Sequence, residues 1–103
     1  MTSAPDNNAP TIEITSPRSG ETVRGMVTIV AQAADDRALS LIEVLIDGQN
    51  ALSVEQSESA TTVAHNWNTA DPRVTVGSHT ITVRATDTSG NTGASSVDVT
   101  VAR

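Results

Sequence analysis

A chain of 103 residues that is 37% apolar, with one Trp and no Phe, Tyr or Cys, has room for one domain whose core is Val, Ile, Leu and Ala. Lys is absent and six Arg face twelve acidic residues for a net charge of −6, a balance that argues against nucleic acid and anionic lipid as partners. No apolar run approaches the ~20 residues of a membrane span and no signal-peptide core is present, while the lack of Cys excludes a disulfide framework and a thiolate zinc site.

The segment 1–10 (MTSAPDNNAP) is polar, punctuated by Pro and without period, and reads as an interdomain linker leading into a domain over 11–103. From there the apolar period is two almost throughout, the signature of half-buried strands. Ile12 and Ile14 alternate with polar neighbours before Ser16-Pro17 and Ser19-Gly20 turn the chain. Val27, Ile29, Ala31 and Ala33 share one parity, and Asp35-Asp36 ends that run. Ile42, Val44 and Ile46 line one face up to Asp47-Gly48, a strong hairpin signal. Ala51–Val54 reads as a short edge strand, and Val63, His65 and Trp67 alternate up to Asn68, with Asp71-Pro72 marking the next loop. His79, Ile81, Val83 and Ala85 alternate as far as Asp87, and Val97, Val99 and Val101 finish the series. The pattern predicts an all-β sandwich of about seven antiparallel strands, with turns every 8–12 residues and no disulfide.

Several runs carry a more specific resemblance. Pro10-Thr11-Ile12-Glu13-Ile14-Thr15-Ser16-Pro17, Gly25-Met26-Val27-Thr28-Ile29-Val30-Ala31-Gln32-Ala33-Ala34-Asp35, Val44-Leu45-Ile46-Asp47-Gly48, Trp67-Asn68-Thr69, Gly77-Ser78-His79-Thr80-Ile81 and Ala85-Thr86-Asp87-Thr88-Ser89-Gly90-Asn91 follow one another in an order that resembles the bacterial immunoglobulin-like (Ig-like) domains. Ala38 departs from that pattern, standing where the family often has Gly. The resemblance implies an Ig-like β-sandwich that is monomeric, secreted or at the cell surface, and partnered mainly by neighbouring domains of its own chain. It further implies a spacer, stalk or adhesion unit without catalytic residues. The alternative is a carbohydrate-binding module that targets a parent enzyme, with a glycan or surface ligand as partner.

The residues themselves offer few sites. Ser and Thr are the only nucleophiles and His65 and His79 the only bases near neutral pH, with no triad spacing among them. His79 stands where sandwiches often place a Tyr that ties a loop to the strand, so its imidazole is expected to bond a loop carbonyl. His65 is expected to be half-buried. Trp67 shares the inward parity of Val63 and is expected to fill the core; in that place it provides no open ring for a sugar to stack on.

The acidic positions are the functional lead. Asp35 and Asp36 follow the second long run, and Asp87 and Asn91 follow the sixth; in an Ig-like sandwich those loops share one end. The four residues are candidate oxygen ligands for a weakly held Ca²⁺. Their competing reading is as turn caps that accept hydrogen bonds from backbone N–H groups. No other cofactor is expected.

Overall fold

The computed structural model describes residues 9–102, so the expected linker lies outside the described residues except for Ala9 and Pro10. Eight strands follow in order: β1 (Thr11–Ser16), β2 (Thr22–Val23), β3 (Met26–Ala34), β4 (Leu39–Ile46), β5 (Gln49–Glu55), β6 (Ala60–Asn68), β7 (Gly77–Asp87) and β8 (Thr92–Val101). They form two sheets, ordered β1-β3-β6 and β2-β8-β7-β4-β5. No helix occurs among the described residues. The strand the sequence pattern misses is β2. Its two residues pair in parallel with β8, Thr22 to Thr100 and Val23 to Val101, and two residues are too few for alternation to register.

Burial follows the predicted parity. Ile29, Ala31 and Ala33 of β3 face Ile42 and Val44 of β4, Ile81, Val83 and Ala85 of β7, and Val99 and Val101 of β8 in one buried cluster. β-branched side chains stiff at χ1 suit this pleated interior. Each buried side chain of that size contributes roughly 1.5–3 kcal/mol by leaving water. Leu39 joins the cluster from the start of β4, one residue before the register shift between Leu39 and Leu41.

Two backbone features set the geometry. The β4–β5 hairpin turns on Asp47 (φ 53°) and Gly48 (φ 81°), and two central residues with positive φ match the twist of the paired strands. Asp47 is the only described non-glycine residue with positive φ, so Ala38 needs no glycine-like backbone. Gly93 of β8 lies under the chain entering β1, where an added Cβ would collide with the carbonyl oxygen of the buried Pro10. The incoming segment is thus packed onto the sandwich one residue before β1 begins.

The register places the two ends of the strand series at opposite poles. Thr11 pairs with Ala34 and Leu39 with Asp87, defining one pole. Gly77 pairs with Val101, Met26 with Asn68 and Ile46 with Gln49, defining the other. The eleven residues of β7 run between them, about 36 Å at strand rise.

Candidate functional site

At the Asp87 pole the loop after β3 meets the loop after β7, as the sequence implies. The Thr88 N–H donates to the Ala38 carbonyl at 2.9 Å. The Ser40 hydroxyl donates to the Thr86 and Asp87 carbonyls, both at 3.2 Å. The carboxylate of Asp87 is turned into its own loop and only 2% of the residue is exposed. Oδ1 accepts the N–H groups of Ser89 (2.9 Å) and Asn91 (2.8 Å), and Oδ2 accepts the Asn91 side-chain amide (3.1 Å). Asp35 does the same for the other loop, its Oδ2 accepting the Arg37 N–H at 3.1 Å. Asp36 stands exposed beside it.

Asp87 and Asn91 are therefore brought together, but as an acceptor and the donors that satisfy it. Among the described residues no three His, Asp or Glu side chains assemble into a group able to hold a metal ion. An incoming cation would have to compete with the donors already on Asp87. The expected result is that millimolar CaCl₂ moves the melting temperature no further than NaCl of matched ionic strength, since screening acts alike in both. A calcium-only rise that a chelator reverses would instead establish the ion site.

The opposite pole carries a second set of interactions. His79 is 7% exposed, on the inward face of β7. Its Nε2 lies 2.6 Å from the Thr75 carbonyl and its Nδ1 lies 2.5 Å from Asp47 Oδ2. A carbonyl and a carboxylate only accept, so both ring nitrogens are satisfied together only in the doubly protonated imidazolium. Asp47 Oδ1 in turn accepts the Thr80 N–H at 2.9 Å, and the Asp47 N–H donates to the Thr80 carbonyl at 2.8 Å. The expectation of an imidazole tying a loop carbonyl to the strand is met, with Thr75 as the loop residue.

Burial opposes the charge on His79, but the Thr75 carbonyl and the bond and charge of Asp47 outweigh it and hold the pKa above its ordinary value. Burial likewise pushes Asp47 upward, yet the Thr80 N–H and then the His79 bond and charge prevail, and its pKa lies below the usual carboxylate value. The Asp47 partnership was not visible as such in the sequence. Its signal was an inward-facing imidazole with two nitrogens to satisfy, near an Asp-Gly turn that the Ile46–Ile81 register brings alongside.

Trp67 lies against this latch. It is 8% exposed, pairs with Val27 across β3–β6, and meets the His79 ring edge to face, with centroids 5.5 Å apart and planes at 73°. His65, one inward position earlier, is half-buried. Trp67 and His79 form the floor of an open cleft of about 550 Å³ between β5 and β6, the outer strands of the two sheets on this side. Among the described residues only His79 of the two histidines has a carboxylate partner, and no Ser or Thr hydroxyl there is set beside a base in a nucleophile's geometry: the Thr75 hydroxyl lies 3.4 Å from a nitrogen already committed to the Thr75 carbonyl.

Solved structures share this architecture. The fibronectin(III)-like modules of Clostridium thermocellum CbhA superpose with a TM-score of 0.67 at 25% identity, over 90% of this chain and 100% of that one. An endo-β-1,4-mannanase from Thermotoga petrophila matches with a TM-score of 0.73 at 17% identity, over 95% of this chain but 21% of the enzyme. A lytic polysaccharide monooxygenase from Jonesia denitrificans matches with a TM-score of 0.56 at 20% identity, over 84% of this chain and 60% of that one. The last two likenesses are of fold alone. No curated protein sequence matches the chain. Residues 10–83, from the buried Pro10 through the latch and into β7, match the bacterial Ig domain family, and with the two-sheet topology and inward parity described above the chain belongs to that family.

Proposed function

We propose that this domain is a non-catalytic accessory module of a larger secreted or cell-surface bacterial protein, holding neighbouring domains apart and contributing to adhesion. The observation that carries the reading is the placement of the β1 start and the β8 end at opposite poles of a body about 36 Å long. A chain that passes through a stiff sandwich from pole to pole sets a distance that a flexible linker of the same residues does not. The absence of a nucleophile–base pair among the described residues is compatible with a part that does no chemistry of its own, and the acidic surface favours solubility.

The competing reading, a module that anchors a parent enzyme to polysaccharide, needs aromatic rings open to solvent, and the lone Trp is 8% exposed. The two separate in a pull-down of the isolated domain on insoluble cellulose, mannan, xylan and chitin. The accessory reading expects the protein to remain in the supernatant and to release no reducing ends. Retention that survives washing in high salt would overturn it in favour of the anchor.

A further inference from the structure

We propose that β6 pairs edge to edge with β6 of a second copy of this chain, antiparallel and two-fold symmetric about Ala64, joining the three-stranded sheets of two domains into one. Four strands lie at sheet edges: β1, β6, β2 and β5. An exposed edge recruits a further strand unless a bulge, a charge or shortness prevents it. β1 carries an extra residue, Thr15, between the pairings of Ile14 and Ser16 with β3, and it bears Glu13. β5 carries an extra residue, Ala51, between the pairings of Asn50 and Leu52 with β4, and it ends in Glu55. β2 is two residues long. β6 has none of these devices. Its nine residues, Ala60–Asn68, hold unbroken register with β3 and include no Asp, Glu, Arg or Pro.

The phase of the β3–β6 ladder fixes which groups face outward. The Thr69 N–H donates to the Gly25 carbonyl at 2.9 Å and the Asp35 N–H to the Ser59 carbonyl at 2.8 Å, each one position beyond an end of the β3–β6 register. Antiparallel pairs alternate between bonded and non-bonded, so the odd-numbered residues of β6 bond to β3. Ala60, Thr62, Ala64, Asn66 and Asn68 therefore aim their N–H and C=O groups away from it, and β6 pairs with no other strand among the described residues. A two-fold axis at Ala64 sets Ala64 against itself, Thr62 against Asn66 and Ala60 against Asn68 of the second copy, so every outward group meets an outward group. On the inner face Val63 then lies against His65 and Thr61 against Trp67 of the second copy, pairings of β-branched and aromatic side chains that support a ladder. Only main chain is used, so Asn66 keeps the Thr28 hydroxyl (3.0 Å) and Asn68 keeps the Ala70 N–H (3.1 Å).

Two observations point to a second copy as the occupant. The middle residue of the nine, Ala64, is one of the outward-bonding ones, which lets two identical strands pair over their full length about a single axis. Charge agrees. Domains of net charge −6 repel where their acidic surfaces meet, and a strand free of Asp and Glu is where two of them approach at least cost. A strand edge alone covers less than the roughly 1,200–2,000 Å² of a stable interface, which sets the dissociation constant at about 0.1–1 mM. The domain is then monomeric when dilute and pairs where copies crowd at millimolar effective concentration. The inference rests on the accessory reading only for that crowded setting. Failed pairing removes the dimer and leaves that reading, which the pull-down tests separately.

The test is a dilution series of the ¹⁵N-labelled domain from about 2 mM to about 20 µM, with sedimentation equilibrium alongside. The backbone amides of Ala60, Thr62, Ala64, Asn66 and Asn68 are expected to move together on one monomer–dimer curve and to gain protection from hydrogen exchange at the concentrated end. Ala64 and Thr62 are both exposed, so substitutions there leave the core untouched. Ala64→Lys sets like charges against each other at the axis and should weaken pairing at least about tenfold. Because it lowers the net negative charge, association governed by overall charge would strengthen instead. Ala64→Cys should form a disulfide-linked dimer on mild oxidation far faster than Thr62→Cys. Residues facing each other at the axis lie within disulfide reach, whereas the two copies of residue 62 stand about 13 Å apart along the strands. No movement of these amides on dilution, movement centred on another edge, undiminished pairing by Ala64→Lys or equal cross-linking by the two cysteines would each overturn the proposal. Exchange protection of the same amides in the dilute monomer would overturn it too, because the edge would then be covered within one chain.

Discussion

Trp67→Ala is expected to lower the free energy of unfolding by roughly 3–5 kcal/mol, a large share of the about 5–15 kcal/mol that holds a domain of this kind together. The size follows from what surrounds the indole. It is the only large aromatic in the chain, 8% exposed, paired with Val27 and set edge to face against His79. No Phe or Tyr stands by to collapse into the cavity, and Val23, Val27 and Val63 are too short to fill it. Trp67→Phe keeps a ring in place and is expected to cost less, about 1–2 kcal/mol. Urea unfolding followed by circular dichroism measures both, since fluorescence is lost with the residue. The wild-type emission should be that of a largely buried indole and shift to the red on unfolding. An Ala variant as stable as wild type, or native emission already at the water-exposed position, would place Trp67 on the surface.

The second large effect is at the latch. His79→Ala opens a hole in the core and leaves the Thr75 carbonyl without its donor, while the half-exposed Asp47 keeps the Thr80 N–H and meets water, so the cost should be roughly 1–3 kcal/mol at mildly acid pH. The same pair makes stability depend on pH from both sides. The folded pKa of His79 lies above its ordinary 6.5, so its contribution is fully present below pH 6.5 and is lost as pH rises through the folded value. The folded pKa of Asp47 lies below its ordinary 3.8, so its contribution is present above pH 3.8 and is lost as pH falls through the folded value. Wild-type stability should therefore be highest between those two ordinary values, and the gap to His79→Ala should narrow on either side. A melting-temperature difference that stays flat from below pH 3.8 to well above pH 6.5 would show that the latch carries no pH-linked stability, and one that shrinks as pH falls below 6.5 would show that the imidazole is held neutral.

The fold was legible because local signals agreed. The inward parity of Val27 to Ala33, Ile42 to Ile46 and His79 to Ala85 reappears as the buried faces of β3, β4 and β7, and Asp47-Gly48 is a hairpin turn with the backbone its residues imply. β2 was not legible, because a two-residue parallel pairing with β8 is specified by where the chain passes rather than by any period of its own. The convergence of the Asp35 and Asp87 loops was legible from topology. How their carboxylates are used was not, since that depends on which N–H groups the turn aims inward. The latch was half legible: the imidazole announced a need for acceptors, while Asp47 as the acceptor emerges only from the register of β4 against β7. The cleft was not legible at all, because it is formed by two edge strands that never pair.

The claim that this domain sets a fixed distance between its neighbours is tested most directly by measuring its own pole-to-pole distance. The chain has no Cys, so Thr11→Cys and Thr100→Cys, both at exposed strand positions, give a single pair of spin-label sites without background. Pulsed dipolar spectroscopy on that pair should return one narrow distribution centred at about 25–35 Å, unchanged between low and high salt. A broad distribution, or a short distance that brings both labels to the same pole, would contradict the account.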